Sequence, residues 1–298
     1  MADSWVIETA ALTKRYGAVD AVCDLDLRVG NGRITAFLGR NGAGKSSTIK
    51  MLLGIVHPTS GSGTVLGAPI DDERRSREMR RRVAYVAEDK QTYAYMTVAQ
   101  MIAFTRSFYV DWSRDVEERL LRQYELPLRR KVKALSKGMR TKLALLLALS
   151  RRPALLILDE PSEGLDPVSI EELLQAIVAA AAEGTTVFFS SHQIAEVERI
   201  ADQVCMLDRG RLVLDASLDD IRRDFRRLDV GFADAAPRWE WPAADVGSIR
   251  TTGRQITILA KRNVDQMIER AYAAGAVSVD ASAVSLREVF LDAAMEPR

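Results

Sequence analysis

Gly39, Gly44, Lys45 and Ser46 are spaced G-x-x-x-x-G-K-S within the run GRNGAGKSS, and those residue types in that order suit a polyphosphate. Glycines let backbone N–H groups turn toward phosphate oxygens, and a helix that starts at the lysine adds positive potential. The expected binding segment is the whole loop of Gly39, Arg40, Asn41, Gly42, Ala43, Gly44, Lys45, Ser46 and Ser47. Lys45 would neutralise β- and γ-phosphate charge, and Ser46 would give a hydroxyl oxygen to Mg²⁺. A tight glycine turn beside an exposed lysine is the competing reading.

Two carboxylates and an imidazole complete the chemistry. Asp159 and Glu160 end the apolar run 154–158, and ligands of open α/β sheets gather at the carboxyl ends of strands. Asp159 is expected to hold Mg²⁺, directly or through water, and Glu160 to orient or deprotonate a water beside the γ-phosphate. Taken alone, such a pair is often only a turn and a helix cap. His192 follows the next apolar run and should emerge on the same sheet edge, within reach of the γ-phosphate, unless it is a satisfied buried imidazole. His57, the other histidine, precedes a proline and reads as a loop position without chemistry.

The elements that must position these groups are legible as periodicity. Residues 33–38 form an apolar strand, and 45–53 a helix closed at Gly54. Residues 154–158 lack alternation, which marks a strand buried on both faces of a parallel sheet. A helix over about 168–182, closed at Gly184, and a strand over 185–190 continue the alternation. Between the two halves, about 97–149 has helical spacing and no convincing strand. Charge-rich 219–227 leads to an aromatic loop around Trp239, Trp241 and Pro242, then a strand near 255–260 and a helix near 264–274. The expected class is α/β with a mostly parallel sheet, a helical insertion and a small C-terminal α/β appendix.

Composition narrows the setting. At 298 residues, 47% hydrophobic and 28% charged, the chain is of ordinary globular type. A formal net charge of +1 argues against nucleic acid as a partner. The arginines 74, 75, 77, 80, 81 and 82 read as a solvated helix face, although such a run could touch anionic lipid or nucleic acid. Cys23 and Cys205 lie far apart and suggest neither zinc nor a disulfide framework, which fits a reducing cytoplasm. Residues 1–6 carry no export signal. The aliphatic stretch 143–149 is far shorter than the roughly 20 apolar residues of a spanning helix, so any membrane role is expected to be borrowed from a partner.

GRNGAGKSS, LSKGM at 135–139, LLILDEP at 155–161, EGLDP at 163–167 and SSH at 190–192 together resemble an ATP-binding cassette (ABC) ATPase, in order and in spacing. The resemblance covers about residues 4–216. It implies a P-loop NTPase fold with an N-terminal antiparallel β portion, ATP and Mg²⁺ as ligands, and ATP hydrolysis coupled to transport. It also implies that two cassettes, identical or different, pack head to tail, with Ser136 and Gly138 of one closing over the γ-phosphate held by the other. Ser136 and Gly138 do precede a helix, and so offer a helix N-terminus to an anion. Tyr16 matches the aromatic that stacks on adenine in the family, with ordinary core packing as the alternative.

The chain departs from the family pattern at three places. Glu88 stands where a glutamine usually contacts Mg²⁺, the attacking water and the coupling surface, and is carried over as a catalytic and metal-contacting candidate. Lys137 and Met139 replace the usual glycine and glutamine of the LSKGM segment, and Glu163 stands where many relatives have serine. These features resemble a bacterial exporter subgroup related to the bacitracin-resistance and acetoin-utilisation transporters. The tail SLREVFLDA at 285–293 fits that group, and equally an amphipathic helix packed on its own domain.

The expected organisation is an ATPase domain over 1–216, with a helical subdomain at about 90–150, and a C-terminal domain over 217–298. The expected function is the ATP-hydrolysing subunit of a transporter, lying on the inner face of the plasma membrane and driving a separate multi-spanning permease. A non-transport ATPase acting on ribosomes or DNA is the alternative.

Overall fold

The computed structural model describes residues 5–90, 92–237, 241 and 245–295. Met1 to Ser4, Trp239 and Pro242 lie outside the described residues. Contacts group the chain into two units, Met1–Leu212 and Val213–Arg298.

The first unit opens with β1 (Trp5–Tyr16), which turns at Gly17 and Ala18 into antiparallel β2 (Val19–Leu25). Gly17 sits at φ 58, the left-handed region that a two-residue hairpin turn favours. β3 (Arg28–Gly30) also pairs with β1. β4 (Ile34–Gly39) is buried at every position, as its unbroken apolar run predicts. The glycine loop then leads into α1 (Lys45–Leu52). Gly44 has φ 108, and a Cβ there would lie 2.3 Å from the Ala21 carbonyl oxygen, so both backbone and space require glycine. β5 (Ser60–Val65) and β6 (Ala68–Pro69) complete an antiparallel sheet of order β2-β1-β5-β6, with β3 on β1.

α2 (Glu73–Arg82) is capped by Asp72, which accepts from the Arg75 N–H at 2.9 Å, and most of its arginines are exposed. β7 (Val83–Val86) comes next. α3 (Val98–Arg106) starts in a reciprocal Thr97/Gln100 capping box. α4 (Arg114–Tyr124) starts at a Ser113 cap, and both α3 and α4 pack on α5 (Lys137–Leu149). β8 (Leu155–Leu158), α6 (Pro167–Ala182), β9 (Thr186–Ser191), α7 (Ile194–Ile200), β10 (Gln203–Asp208) and β11 (Arg211–Ser217) complete the alternation. The second sheet has the order β11-β10-β4-β9-β8-β7, and its pairs from β10 to β7 are parallel. Phe37 of β4 and Phe188 of β9 bury fully with ring centroids 5.3 Å apart. Burial of each such side chain contributes about 1.5–3 kcal/mol.

In the second unit α8 (Leu218–Asp224) precedes β12 (Arg226–Phe232), β13 (Val246–Thr252), β14 (Gln255–Ala260), α9 (Val264–Ala273), β15 (Ala276–Ala283) and α10 (Leu286–Met295). The strands form a sheet of order β13-β14-β12-β15 whose pairs are antiparallel. Leu228, Val230, Ile256 and Ile258 pack with Met267 and Ala271 of α9 into its core. Periodicity picks out β14 and α9 but passes over β12, because Arg226, Arg227 and Asp229 interrupt the apolar pattern of a strand with one apolar face. Among the described residues, no helix is long and apolar enough to cross a membrane.

Candidate active site

β4, β9 and β8 are neighbours and run parallel, so the segments beyond their carboxyl ends open on one sheet edge. The loop 39–47 comes after β4, Asp159 and Glu160 after β8, and His192 after β9. Lys45, Ser46, Glu160 and His192 line a cavity of about 300 Å³ together with Asn41, Gly42, Gly44, Ser47, Glu88 and Glu163, whereas Gly39, Arg40, Ala43 and Asp159 are not among its lining residues.

Lys45 is buried, and its Nζ donates to the Gly39 carbonyl at 2.7 Å and to the Arg40 carbonyl at 3.2 Å. The same nitrogen lies 2.9 Å from Glu160 Oε1. That contact is an ion pair out of hydrogen-bond alignment, so Oε1 is a buried acceptor without an aligned donor. The other oxygen, Oε2, accepts from His192 Nδ1 at 2.8 Å. Ser46 Oγ donates to Asp159 Oδ1 at 3.3 Å. Glu160 sits at φ 43, a left-handed backbone that costs of order 1–3 kcal/mol outside glycine.

Ser190 holds this strained corner. Its Oγ accepts from the Glu160 N–H at 2.9 Å and donates to Asp159 Oδ1 at 2.7 Å. One hydroxyl thus fixes both carboxylate residues, using its donor and its acceptor capacity. A second tether runs from Ser162 Oγ to the buried Glu196 of α7 at 2.7 Å, with Ser191 Oγ at 3.5 Å from the same carboxylate oxygen. Burial raises the Glu196 carboxyl above its ordinary range. Burial first, and then the charges of Asp159 and Glu88, push the Tyr85 phenol up to about 12. Glu88 also lines a second cavity, of about 580 Å³, with Ser46, Asp159 and Tyr85.

A family model described as ABC transporter matches residues 22–163. The bacitracin transport ATP-binding protein BcrA of Bacillus licheniformis is 35% identical over 227 residues, which are 75% of this chain and 74% of that protein. The chain belongs to the ABC transporter ATP-binding proteins. Nod factor export ATP-binding protein I of Cupriavidus pinatubonensis is 33% identical over 222 residues, 72% of this chain and 67% of its own length. A solved ATP-binding subunit of an ABC transporter is 33% identical, with a TM-score of 0.66 over 73% of this chain and 92% of that one. The protein is therefore an ATP-hydrolysing transporter subunit, and its fold is the P-loop cassette expected from the motifs.

Other expected residues of the cassette lie away from the 300 Å³ cavity. Ser136 is exposed, and its Oγ caps α5 by accepting from the Met139 N–H at 3.2 Å. Gly138 backs onto α6, where a Cβ would come within 2.5 Å of Ser169 Oγ. Neither lines the cavity within one chain. Tyr16 is half-exposed rather than packed in the core, with Lys14 Nζ 5.1 Å from its ring centroid. It ends the strand whose hairpin partner β2 supplies Ala21 to the cavity wall. His57 is a loop residue whose carbonyl accepts from Lys14.

Ligand atoms of Glu160, Glu163 and His192 lie within 4.8 Å of one another. The two carboxylates meet different ring nitrogens, Nδ1 and Nε2, which is a bridged imidazole and not a set of donors facing one ion.

Ser190 is the group that motif reasoning passed over, although it stands in the SSH run. Ser190→Ala should cost about 1–3 kcal/mol of stability through the two lost hydrogen bonds. Turnover should fall roughly ten-fold as the Asp159–Glu160 corner loosens. Thermal unfolding beside steady-state ATPase rates checks both, and unchanged turnover would remove Ser190 from the positioning of Glu160.

Proposed function

We propose that this ABC ATPase powers an exporter. Two cassettes, this chain twice or with a similar partner, close head to tail on ATP and drive a separate multi-spanning permease at the inner face of the plasma membrane. The export sense rests on relatives named for bacitracin transport and Nod factor export. The observation that carries the catalytic reading is the Glu160 carboxylate, anchored at Oε2 by His192 and with Oε1 lacking an aligned donor beside the glycine loop.

ATP lays its phosphates along the N–H groups of residues 39–47, and Lys45 turns its ammonium from Glu160 to the phosphate oxygens. Glu160 Oε1 then accepts a proton from water as the water oxygen bonds to the γ-phosphorus. The bond from that phosphorus to the β–γ bridging oxygen breaks, giving ADP and phosphate, and the proton passes from Glu160 to phosphate. His192 keeps Glu160 oriented through Nδ1 and, in the imidazolium form, donates from Nε2 toward the γ-phosphate. Ser46 and Asp159 present a hydroxyl and a carboxylate oxygen 3.3 Å apart, a hard-oxygen pair that fits Mg²⁺, with Glu88 able to add another oxygen. When bound, Mg²⁺ neutralises charge on the β- and γ-phosphates. Tyr16 offers a ring face to adenine, and stacking of that kind contributes about 1–3 kcal/mol. Ser136 and Gly138, remote from the chain's own cavity, face the phosphates of the partner cassette.

Purification of the tagged chain in detergent, co-expressed with the products of its neighbouring genes, tests this reading. The chain should co-purify with a multi-spanning partner, and ATP turnover should respond to it. Co-purification with ribosomes or DNA, and with no membrane protein, overturns the transport reading.

A further inference from the structure

His192 is held from both sides. A carboxylate only accepts, so the ring donates from Nδ1 to Glu160 Oε2 at 2.8 Å. Its other nitrogen, Nε2, faces Glu163 Oε2 at 3.6 Å, an ion-pair separation outside hydrogen-bond range, and donates as well only in the imidazolium form, with a proton on each nitrogen. We propose that Glu163 makes this cassette discriminate against ATP relative to ADP, by competing with the γ-phosphate for the Nε2–H of the His192 imidazolium. The inference rests on the proposed function, in which the γ-phosphate reaches His192.

Three observations support the competition. Glu163 lines the same cavity as Lys45, Ser46 and His192, so its charge lies on the phosphate side of the imidazole. Its backbone is fixed, since the Glu163 N–H donates to the Glu160 carbonyl at 3.2 Å and the next turn closes from the Leu165 N–H to the Ser162 carbonyl at 3.0 Å. Ser162 is in turn tethered to the buried Glu196. The carboxylate is therefore presented by a braced turn. Glu163 and His192 side chains are 43% and 34% exposed, so the pair is partly screened and can be exchanged.

A carboxylate and a phosphate oxygen are both anionic acceptors, and one N–H cannot serve both. ATP must displace Glu163 from Nε2–H to seat its terminal phosphate there. ADP ends one phosphate short and leaves the His192–Glu163 contact intact. After hydrolysis, Glu163 recaptures the imidazole as phosphate departs, which opposes its return. A serine at this place would accept or donate without that charge.

The test is equilibrium binding of MgADP and of an imido-bridged, non-hydrolysable MgATP analogue to the intact chain and its variants. Glu163→Gln and Glu163→Ser should bind the ATP analogue about two- to five-fold more tightly, the range open to a partly exposed ion pair. MgADP affinity should stay at the parent value. In the His192→Ala background, the Glu163→Gln gain should vanish, because the contested N–H is gone. Equal tightening of both nucleotides marks a general charge effect and overturns the proposal, as does no change for the analogue or persistence of the gain without His192. Lys45→Ala separates the two levels. If it binds both nucleotides like the parent, the site reading itself fails; if it loses both while Glu163→Gln matches the parent, only the role of Glu163 falls.

Discussion

Glu160→Gln should bind ATP as tightly as the parent and hydrolyse it at least about a hundred-fold more slowly, the low end of what a positioned general base contributes. The amide is close to the carboxylate in size and still accepts a hydrogen bond through its oxygen, so His192 Nδ1 keeps its partner. The amide cannot take a proton from water. Nucleotide affinity should survive, since the Glu160 N–H bond to Ser190 is a backbone contact that the substitution leaves alone and phosphate takes up the Lys45 charge. The nucleotide-free protein should lose stability, because buried Lys45 loses its carboxylate partner. Fluorescent-nucleotide titration beside a phosphate-release assay reads the two effects separately. Parental hydrolysis by this variant would remove Glu160 from the proton transfer.

Lys45→Ala should fail differently, losing affinity before it loses chemistry. A charge-assisted hydrogen bond to an anionic ligand contributes about 1.5–3 kcal/mol, so MgATP should bind roughly ten- to a hundred-fold more weakly. Stability should fall as well. Lys45 and Glu160 form a pair with side chains only 6% and 7% exposed, and removing one partner of a buried pair strands the other charge at a cost of about 3–5 kcal/mol. Adding Glu160→Gln to Lys45→Ala neutralises the stranded carboxylate and should restore most of the thermal stability without restoring ATP affinity. Calorimetric unfolding with nucleotide titration distinguishes the outcomes. If the double variant regains affinity, the lysine was acting through Glu160 and not on phosphate.

The parts of the site that could be read from sequence are those encoded by local pattern. The glycine loop has a fixed spacing, and β4 and β8 are apolar runs buried on both faces, so the loop and the Asp159–Glu160 pair could be assigned to one sheet edge before any coordinates. Ser190 could not be placed, because its contact with Asp159 depends on the β8–β9 register that sets Leu158 opposite Phe189, and register between parallel strands leaves no local trace. The Glu163–His192 contact is hidden for a similar reason, as two turns that lie beyond different strands must meet. β7 is only four residues long, too short for a period to declare itself. Ser136 and Gly138 could be singled out only through the resemblance to the family. Within one chain their local roles are a helix cap and a close approach to α6, and neither role by itself points to ATP.

That separation makes the oligomeric response to ATP the most direct test of a shared site, in which one copy's Ser136 and Gly138 complete the phosphate pocket of the other. Size-exclusion chromatography with light scattering should be run on Glu160→Gln with saturating MgATP and with MgADP. The expected result is twice the monomer mass with MgATP and the monomer mass with MgADP, because closure needs the γ-phosphate and the variant cannot remove it. A monomer in both nucleotides, with ATP bound and hydrolysis lost, would leave Glu160 as the base and contradict the head-to-tail sandwich.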